Sequence, residues 1–548
     1  MNTSLSRALP FLLLAAVAAA IFLVGLGRLP LFGRDEALYA ESGREMLVTG
    51  DWITPRVNGG PFLEKPPLLY WLDAISYRAL GVSPFSARFP AALLAILTVL
   101  LTASTGARVW GRRAGMLAGL ALVTSLQMAM IGRMGIMDVP LTCLTLLALL
   151  CYERWRSGTG LLGALGFGVC IGLAVLLKGA AGLIPVLVAS AHLVWMAIRR
   201  APLGRSRALS IGAGLLAAII AIGIAAPWFV AMSARHGEAF GSTLLLHEHV
   251  KRILQPMQGH GGPLWIYLPL ILFSFFPWVV FAPGGVARCE DGDERAEFWR
   301  TLCITWILCV LIPFSLIRTK LPGYVTPLFP PLALLAAVAI DRCPGRKPWL
   351  AVLGGAILFG IAASLLPVAA ARVGARVGAT QEASLLLPPI YLWVAGYVVI
   401  IAGAIYALRR VELVSSDRVP ISAGLLALGQ MTILAALLFG VLPVLSPYLG
   451  GGAARLAKMA QQELPGSRIV LYDTHPETVN FALQRSVTTL DGRQQTELNA
   501  QLLASPIALI APAKDESFWK QLPARHTWRW GDRVLLDIPK QENKEEAP

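Results

Sequence analysis

Thirteen apolar runs constrain this chain more than any other feature of it. They lie near 8–26, 91–109, 115–131, 138–153, 160–177, 180–198, 208–232, 263–285, 299–317, 324–341, 349–369, 387–408 and 419–445. A helix needs about 20 such residues to cross a hydrocarbon core of roughly 30 Å. Of 548 residues, 56% are hydrophobic and 14% charged, against roughly a quarter charged in soluble chains. The expected fold is a polytopic α-helical membrane protein with about thirteen transmembrane helices.

Charge orients these spans. The formal net charge is +15, yet from Ser446 onward twelve Lys/Arg face twelve Asp/Glu, so the excess belongs to the first 445 residues. Nucleic acid is therefore not the implied partner; membrane lipid is. With the N-terminus in the cytoplasm, alternate short loops carry Arg112-Arg113, Arg154 and Arg156, Arg199-Arg200, Arg288 and Arg295, Arg346-Lys347 and Arg409-Arg410, as the positive-inside rule requires. The seven cysteines fall in apolar runs or in these basic loops, so the external parts are expected to do without disulfides. The first apolar run continues past Ala18-Ala19-Ala20 into Ile-Phe-Leu-Val and reads as an uncleaved span.

The same parity gathers the unusual polar residues on one external face: segments 27–90 and 233–262, the turn before Asp138, the Arg318–Tyr324 link and the C-terminal tail. Segment 27–90 predicts two interfacial helices, one from Asp35 to about Val48 and one introduced by Pro66-Pro67, with Tyr70, Trp71 and Tyr77 at the lipid boundary. Residues 1–445 then form a transmembrane domain. Residues 446–548 form a small α/β domain, with strands at 468–472, 506–510 and 533–537 and helix-like pieces near 476–485 and 493–504.

Several external residues carry chemistry. Asp35 and Glu36, beside Arg34, follow the first span, and Asp138 starts the fourth; each aspartate reads as a functional carboxylate or as a helix start. Lys65, held between Glu64 and Pro66-Pro67, suits a phosphate or snorkels at the interface. The cluster His247-Glu248-His249-Val250-Lys251-Arg252 offers Arg252 as a phosphate clamp, and His247 with Glu64 as ligands for a divalent metal such as zinc. Arg318, Lys320 and Tyr324 add two cations and a phenol at another span end, and Lys178 at the end of the fifth span either joins them or caps its helix. No Gly-rich nucleotide loop occurs, so neither a nucleotide nor a redox cofactor is expected.

The Arg34-Asp35-Glu36 patch, Glu64-Lys65-Pro66-Pro67 and Met137-Asp138-Val139-Pro140 together resemble the GT-C superfamily of polyprenyl-phosphate-sugar glycosyltransferases. Within it the chain is most similar to the bacterial lipid A aminoarabinose transferases, relatives of the protein O-mannosyltransferases. The resemblance implies a GT-C fold with a periplasmic C-terminal domain and transfer of 4-amino-4-deoxy-L-arabinose from undecaprenyl phosphate to lipid A phosphates at the periplasmic face of the inner membrane. It also implies resistance to cationic peptides such as polymyxin. Asp35 and Asp138 would be catalytic; Lys65, Arg252, Arg318, Lys320, Tyr324, Glu36 and Tyr39 would bind substrate, Glu36 in a supporting role. A single displacement with inversion and a monomeric state are the corresponding expectations. The alternatives are an enzyme with a Ser/Thr acceptor and, from another class, a lipid or sugar transporter. A transporter would carry ionisable residues at midspan and repeated halves, and the sequence has neither.

Overall fold

The structure, a computed structural model, describes residues 3–31, 33–156, 160–199, 207–244, 254–256, 261–287, 293–342, 346–377, 385–410, 419–445, 452–491, 494, 497–498, 501, 504–530 and 532–540. Contacts divide the chain into two compact units. One comprises Met1–Val24, Leu63–Leu68 and Ala91–Val441, the other Gly25–Phe62, Leu69–Pro90 and Leu442–Pro548.

The first unit is helical. Eight described helices are long and apolar enough to cross a membrane, nine if a sharply bent pair counts as one span, so this is a multi-pass membrane protein. Apolar runs 115–131 and 263–285 are each broken into shorter helices. Run 115–131 becomes Arg112–Val123 and Leu126–Ile131, because the Ser125 side chain accepts from the Met128 amide at 3.4 Å and starts a second helix. Run 263–285 breaks between Tyr267–Ser274 and Trp278–Val286, bent by 113°. Pro277 explains the break, since it offers no amide to the preceding turn and its ring clashes with the turn's carbonyl. The Gly160–Lys178 helix ends where Gly179 takes φ +57, a left-handed conformation natural to glycine. A 3-10 turn, Gly179–Leu183, then leads into Ile184–Ile198 with Pro185 in its first turn.

The second unit contains a five-stranded sheet. Its strands after the β1–β2 hairpin (Arg56–Val57, Gly60–Pro61) are β3 Arg468–Tyr472, β4 Thr488–Leu490, β5 Ile507–Pro512, β6 His526–Trp530 and β7 Arg533–Ile538, in the order β4-β3-β5-β7-β6. β3 pairs in parallel with β4 and β5, while β7 runs antiparallel to β5 and β6. Strand alternation builds two cores. Ile469, Leu471, Ala508, Ile510 and Leu535 meet Leu456, Ala457 and Ala460 of the Gly452–Glu463 helix, while Val470, Tyr472, Leu509, Val534 and Leu536 face Phe518 and Trp519.

In the same unit the Arg34–Thr49 helix stops at Gly50, in the left-handed conformation, whose amide returns to the Met46 carbonyl at 3.0 Å. Every residue from Glu36 to Met46 is buried, so this helix is enclosed on all sides, unlike one lying along a surface. Its partners include β1 and the Glu477–Leu483 helix of the tail. The Leu68–Leu80 helix keeps an exposed side, with Ile75 and Leu80 outward and Leu69, Tyr70, Asp73, Ala74 and Tyr77 buried. Cross-links hold the parts together: Tyr77 Oη donates to the Ala40 carbonyl at 3.1 Å, Asn480 Nδ2 donates to Asn58 Oδ1 at 3.1 Å, and the Tyr77 and Phe481 rings lie 6.0 Å apart.

Candidate active site

Asp138 opens the Asp138–Arg156 helix, where the positive end of the helix dipole favours a carboxylate. Lys178 closes the Gly160–Lys178 helix, where the negative end favours a cation. The two meet at 2.7 Å from Nζ to Oδ1, with side chains 16% and 12% exposed. Lys178 Nζ also lies 5.6 Å from the centre of the Tyr324 ring, itself 5.0 Å from the Phe314 ring. The Asp138 carboxylate packs against the Cα of Gly323, where a Cβ would come within 2.5 Å of Oδ1. Gln127 holds this link in place, donating to the Pro322 carbonyl at 2.8 Å and to Thr326 Oγ1 at 3.3 Å. The cluster thus sets a carboxylate, an ammonium and a phenol close together at helix ends, groups able to hydrogen-bond anionic and hydroxyl groups.

Neighbouring cations differ in availability. Arg318 is exposed. Lys320 is buried and its Nζ donates to the carbonyls of Phe314 at 3.0 Å, Ser315 at 2.5 Å and Ile317, with its ammonium 5.6 Å from the Tyr267 ring. Those bonds engage all three ammonium donors, so Lys320 braces the link as it stands. Glu64 and Lys65 are half-buried. His247, Glu248, His249, Lys251 and Arg252 lie outside the described residues. Among the described residues, no group of three or more His, Cys, Asp or Glu comes together as a metal-binding set.

The second unit carries the Asp35 patch. Gly33, at φ 77 and ψ 152, precedes the Arg34–Thr49 helix without a side-chain cap. Arg34 and Asp35 are exposed, whereas Glu36 is completely buried. Its two oxygens accept from Arg88 Nε and Nη2, each at 2.8 Å, which places the Glu36 carboxylate against Arg88 and not in solvent. Tyr39 is buried with its ring 5.8 Å from that of Tyr70. Deeper in the helix Glu41 grips Arg44 through two bonds of 2.8 and 2.7 Å; burial raises the Glu41 pKa and the Arg44 guanidinium opposes that rise. Asp73 is wholly buried, and neither carboxyl oxygen has a hydrogen-bond partner among the described residues. Burial, and then nearby Glu36, push its pKa well above the usual carboxylate range.

Sequence reasoning left Lys178 between a cap and a ligand, and passed over Arg88, Gln127 and Gly323. The one signal for Arg88 is a charge in the Ser86-Ala87-Arg88-Phe89-Pro90 lead into an apolar run.

Comparison with known proteins gives a consistent picture. The family model for dolichyl-phosphate-mannose-protein mannosyltransferase matches residues 9–237. The undecaprenyl phosphate-alpha-4-amino-4-deoxy-L-arabinose arabinosyl transferase of Aeromonas salmonicida is 32% identical over 63% of this chain and 64% of its own length. A second such transferase, from Pseudomonas fluorescens, is 34% identical over 61% of this chain and 56% of its own. In both cases the match spans less than two thirds of the relative. The crystal structure of ArnT from Cupriavidus metallidurans bound to undecaprenyl phosphate superposes with a TM-score of 0.75 at 24% identity, covering 96% of this chain and 97% of that one. The chain is thus similar in sequence to the undecaprenyl phosphate-alpha-4-amino-4-deoxy-L-arabinose arabinosyl transferases over about six tenths of its length, and it shares the fold of ArnT.

Proposed function

We propose that this protein transfers 4-amino-4-deoxy-L-arabinose from undecaprenyl phosphate to lipid A phosphates at the periplasmic face of the bacterial inner membrane, lowering surface negative charge and giving resistance to polymyxin-like peptides. The observation that carries the reading is the Asp138–Lys178 pair beside Tyr324 and Gly323; the named relatives supply the sugar and the carrier. A lipid A phosphate oxygen attacks the anomeric carbon. The bond from that carbon to the carrier phosphate breaks, the phosphate keeps the electron pair, and the configuration inverts. Negative charge grows on the leaving phosphate, where Lys178, Lys65, Arg252 and Arg318 are the cations to balance it. Positive charge grows on the sugar ring, where Asp35 and Asp138 are the carboxylates. A phosphate monoester has its second pKa near 6, so the acceptor is anionic at neutral pH and needs little help from a base.

In this reading the chain crosses the membrane thirteen times with its N-terminus cytoplasmic, residues 446–548 form a periplasmic domain, zinc on Glu64 and His247 is structural, and the enzyme acts as a monomer. The mannosyltransferase family match over residues 9–237 favours one second reading, transfer to a Ser/Thr hydroxyl with Asp35 as the base. Incubating the purified protein with the lipid-linked aminopentose and either lipid A or a Ser-rich peptide separates them. Modified lipid A supports the first reading, and glycosylated peptide with unmodified lipid A overturns it.

A further inference from the structure

Between Val24 and Arg34 the backbone turns through a bond from Arg28 N to Gly25 O at 3.2 Å. Three of its carbonyls converge on one side chain. Arg88 Nη1 donates to Leu26 O at 2.9 Å and Leu29 O at 2.8 Å, and Nη2 donates to Pro30 O at 2.8 Å. Nε and the second Nη2 proton complete the set on Glu36, each at 2.8 Å. All five guanidinium protons are thus engaged, and Arg88 is 2% exposed. A lysine offers one nitrogen where this fork offers three.

Asp35 and Glu36 are adjacent on a helix, and successive side chains there point about 100° apart. Anchoring Glu36 inward therefore aims Asp35 outward, which matches its exposure. Gly33 provides no side-chain cap, while the Arg88 fork grips this first turn through Glu36. Buried charge pairs are weak sources of stability but strong fixers of geometry once formed.

We infer that Arg88 is a positioning residue: through Glu36 and the carbonyls of Leu26, Leu29 and Pro30 it fixes the helix turn on which Asp35 stands. This rests on the reading of Asp35 as a catalytic carboxylate. The test compares R88K, E36Q and D35N in the full-length purified protein by hydrogen exchange and by the lipid A transfer assay. R88K should lower kcat at least about tenfold with KM for the lipid-linked donor within about threefold, because misplacing a reacting group costs rate more than affinity. Exchange should quicken over residues 25–40 and stay unchanged in β3 to β7. E36Q should show the same pattern more mildly, and R88K added to D35N should slow the residual rate no further. Wild-type kcat in R88K overturns the inference, as does faster exchange throughout the sheet with kcat and KM moving together. Wild-type kcat in D35N would sink the catalytic reading of Asp35 itself, whereas an inactive D35N beside a fully active R88K sinks only the positioning role. Should R88K fail to fold, E36Q decides by the same criteria.

Discussion

Substituting Gly323 by alanine probes the Asp138 site without touching a charge. A Cβ there would lie 2.5 Å from Asp138 Oδ1 and 2.7 Å from Cγ, whereas ordinary contact begins at 3.4 Å. The carboxylate must therefore retreat by roughly 0.9 Å, because repulsion rises steeply inside contact distance. Gly323 is not among the residues with positive φ, so alanine brings no backbone strain. The retreat stretches the 2.7 Å bond to Lys178 beyond good hydrogen-bond length. A misplacement of about 1 Å at a reacting centre costs on the order of 100-fold in rate, or about 2.7 kcal/mol of barrier. G323A is predicted to lose about 30- to 100-fold in kcat, with its melting temperature changed by only a few degrees, since the clash is relieved by one side chain. Transfer kinetics and thermal unfolding of the same preparation measure both. The double variant G323A/D138N should be no slower than D138N. Wild-type kcat in a folded G323A would refute the assignment of Asp138 to the reaction.

Three other outcomes follow from the geometry. Asp73 has a folded-state pKa raised by burial, so folding holds a proton that the unfolded chain releases, and stability is lost as pH rises above the ordinary carboxylate range. D73N should therefore match or exceed the wild type in melting temperature at neutral pH and flatten its decline towards alkaline pH; a large loss at neutral pH would mean that the carboxylate is ionised and paired. N480A removes the 3.1 Å bond to Asn58 and strands the Val487 amide that Asn480 Oδ1 accepts at 3.1 Å. It should cost about 1–3 kcal/mol, read as a lower melting temperature and faster proteolysis of segment 27–90. The zinc assignment predicts a bound divalent ion in elemental analysis of purified protein, lost in H247A; an active preparation free of such ions removes it.

Apolar runs made the helices legible because lipid demands length and hydropathy, which sequence displays directly. The break at Ser274–Trp278 escaped notice because Pro277 sits among phenylalanines and tryptophan and barely lowers the mean. In the tail, alternation revealed β3, β5 and β7, which are buried along their length, but not the short β4 or the half-exposed His526–Trp530 edge strand. The Gly452–Glu463 helix also went unread, since alanines supply most of its apolar face. Residue chemistry alone singled out Asp35 and Asp138 as candidates. Their settings stayed hidden, because the Asp138–Lys178 pair joins positions 40 apart and the Glu36–Arg88 pair positions 52 apart. No periodicity links such residues; only the fold does. Which member of Asp35-Glu36 faces inward was likewise undecidable until Arg88 appeared beside Glu36.

The most direct test of the central claim is mass spectrometry of lipid A from cells with the protein, without it, and with D35N in its place. The account predicts lipid A carrying an added aminopentose only where the wild-type chain is present. Lipid A of unchanged mass in cells that make the wild-type protein and its lipid-linked donor, or full modification by D35N, would contradict it.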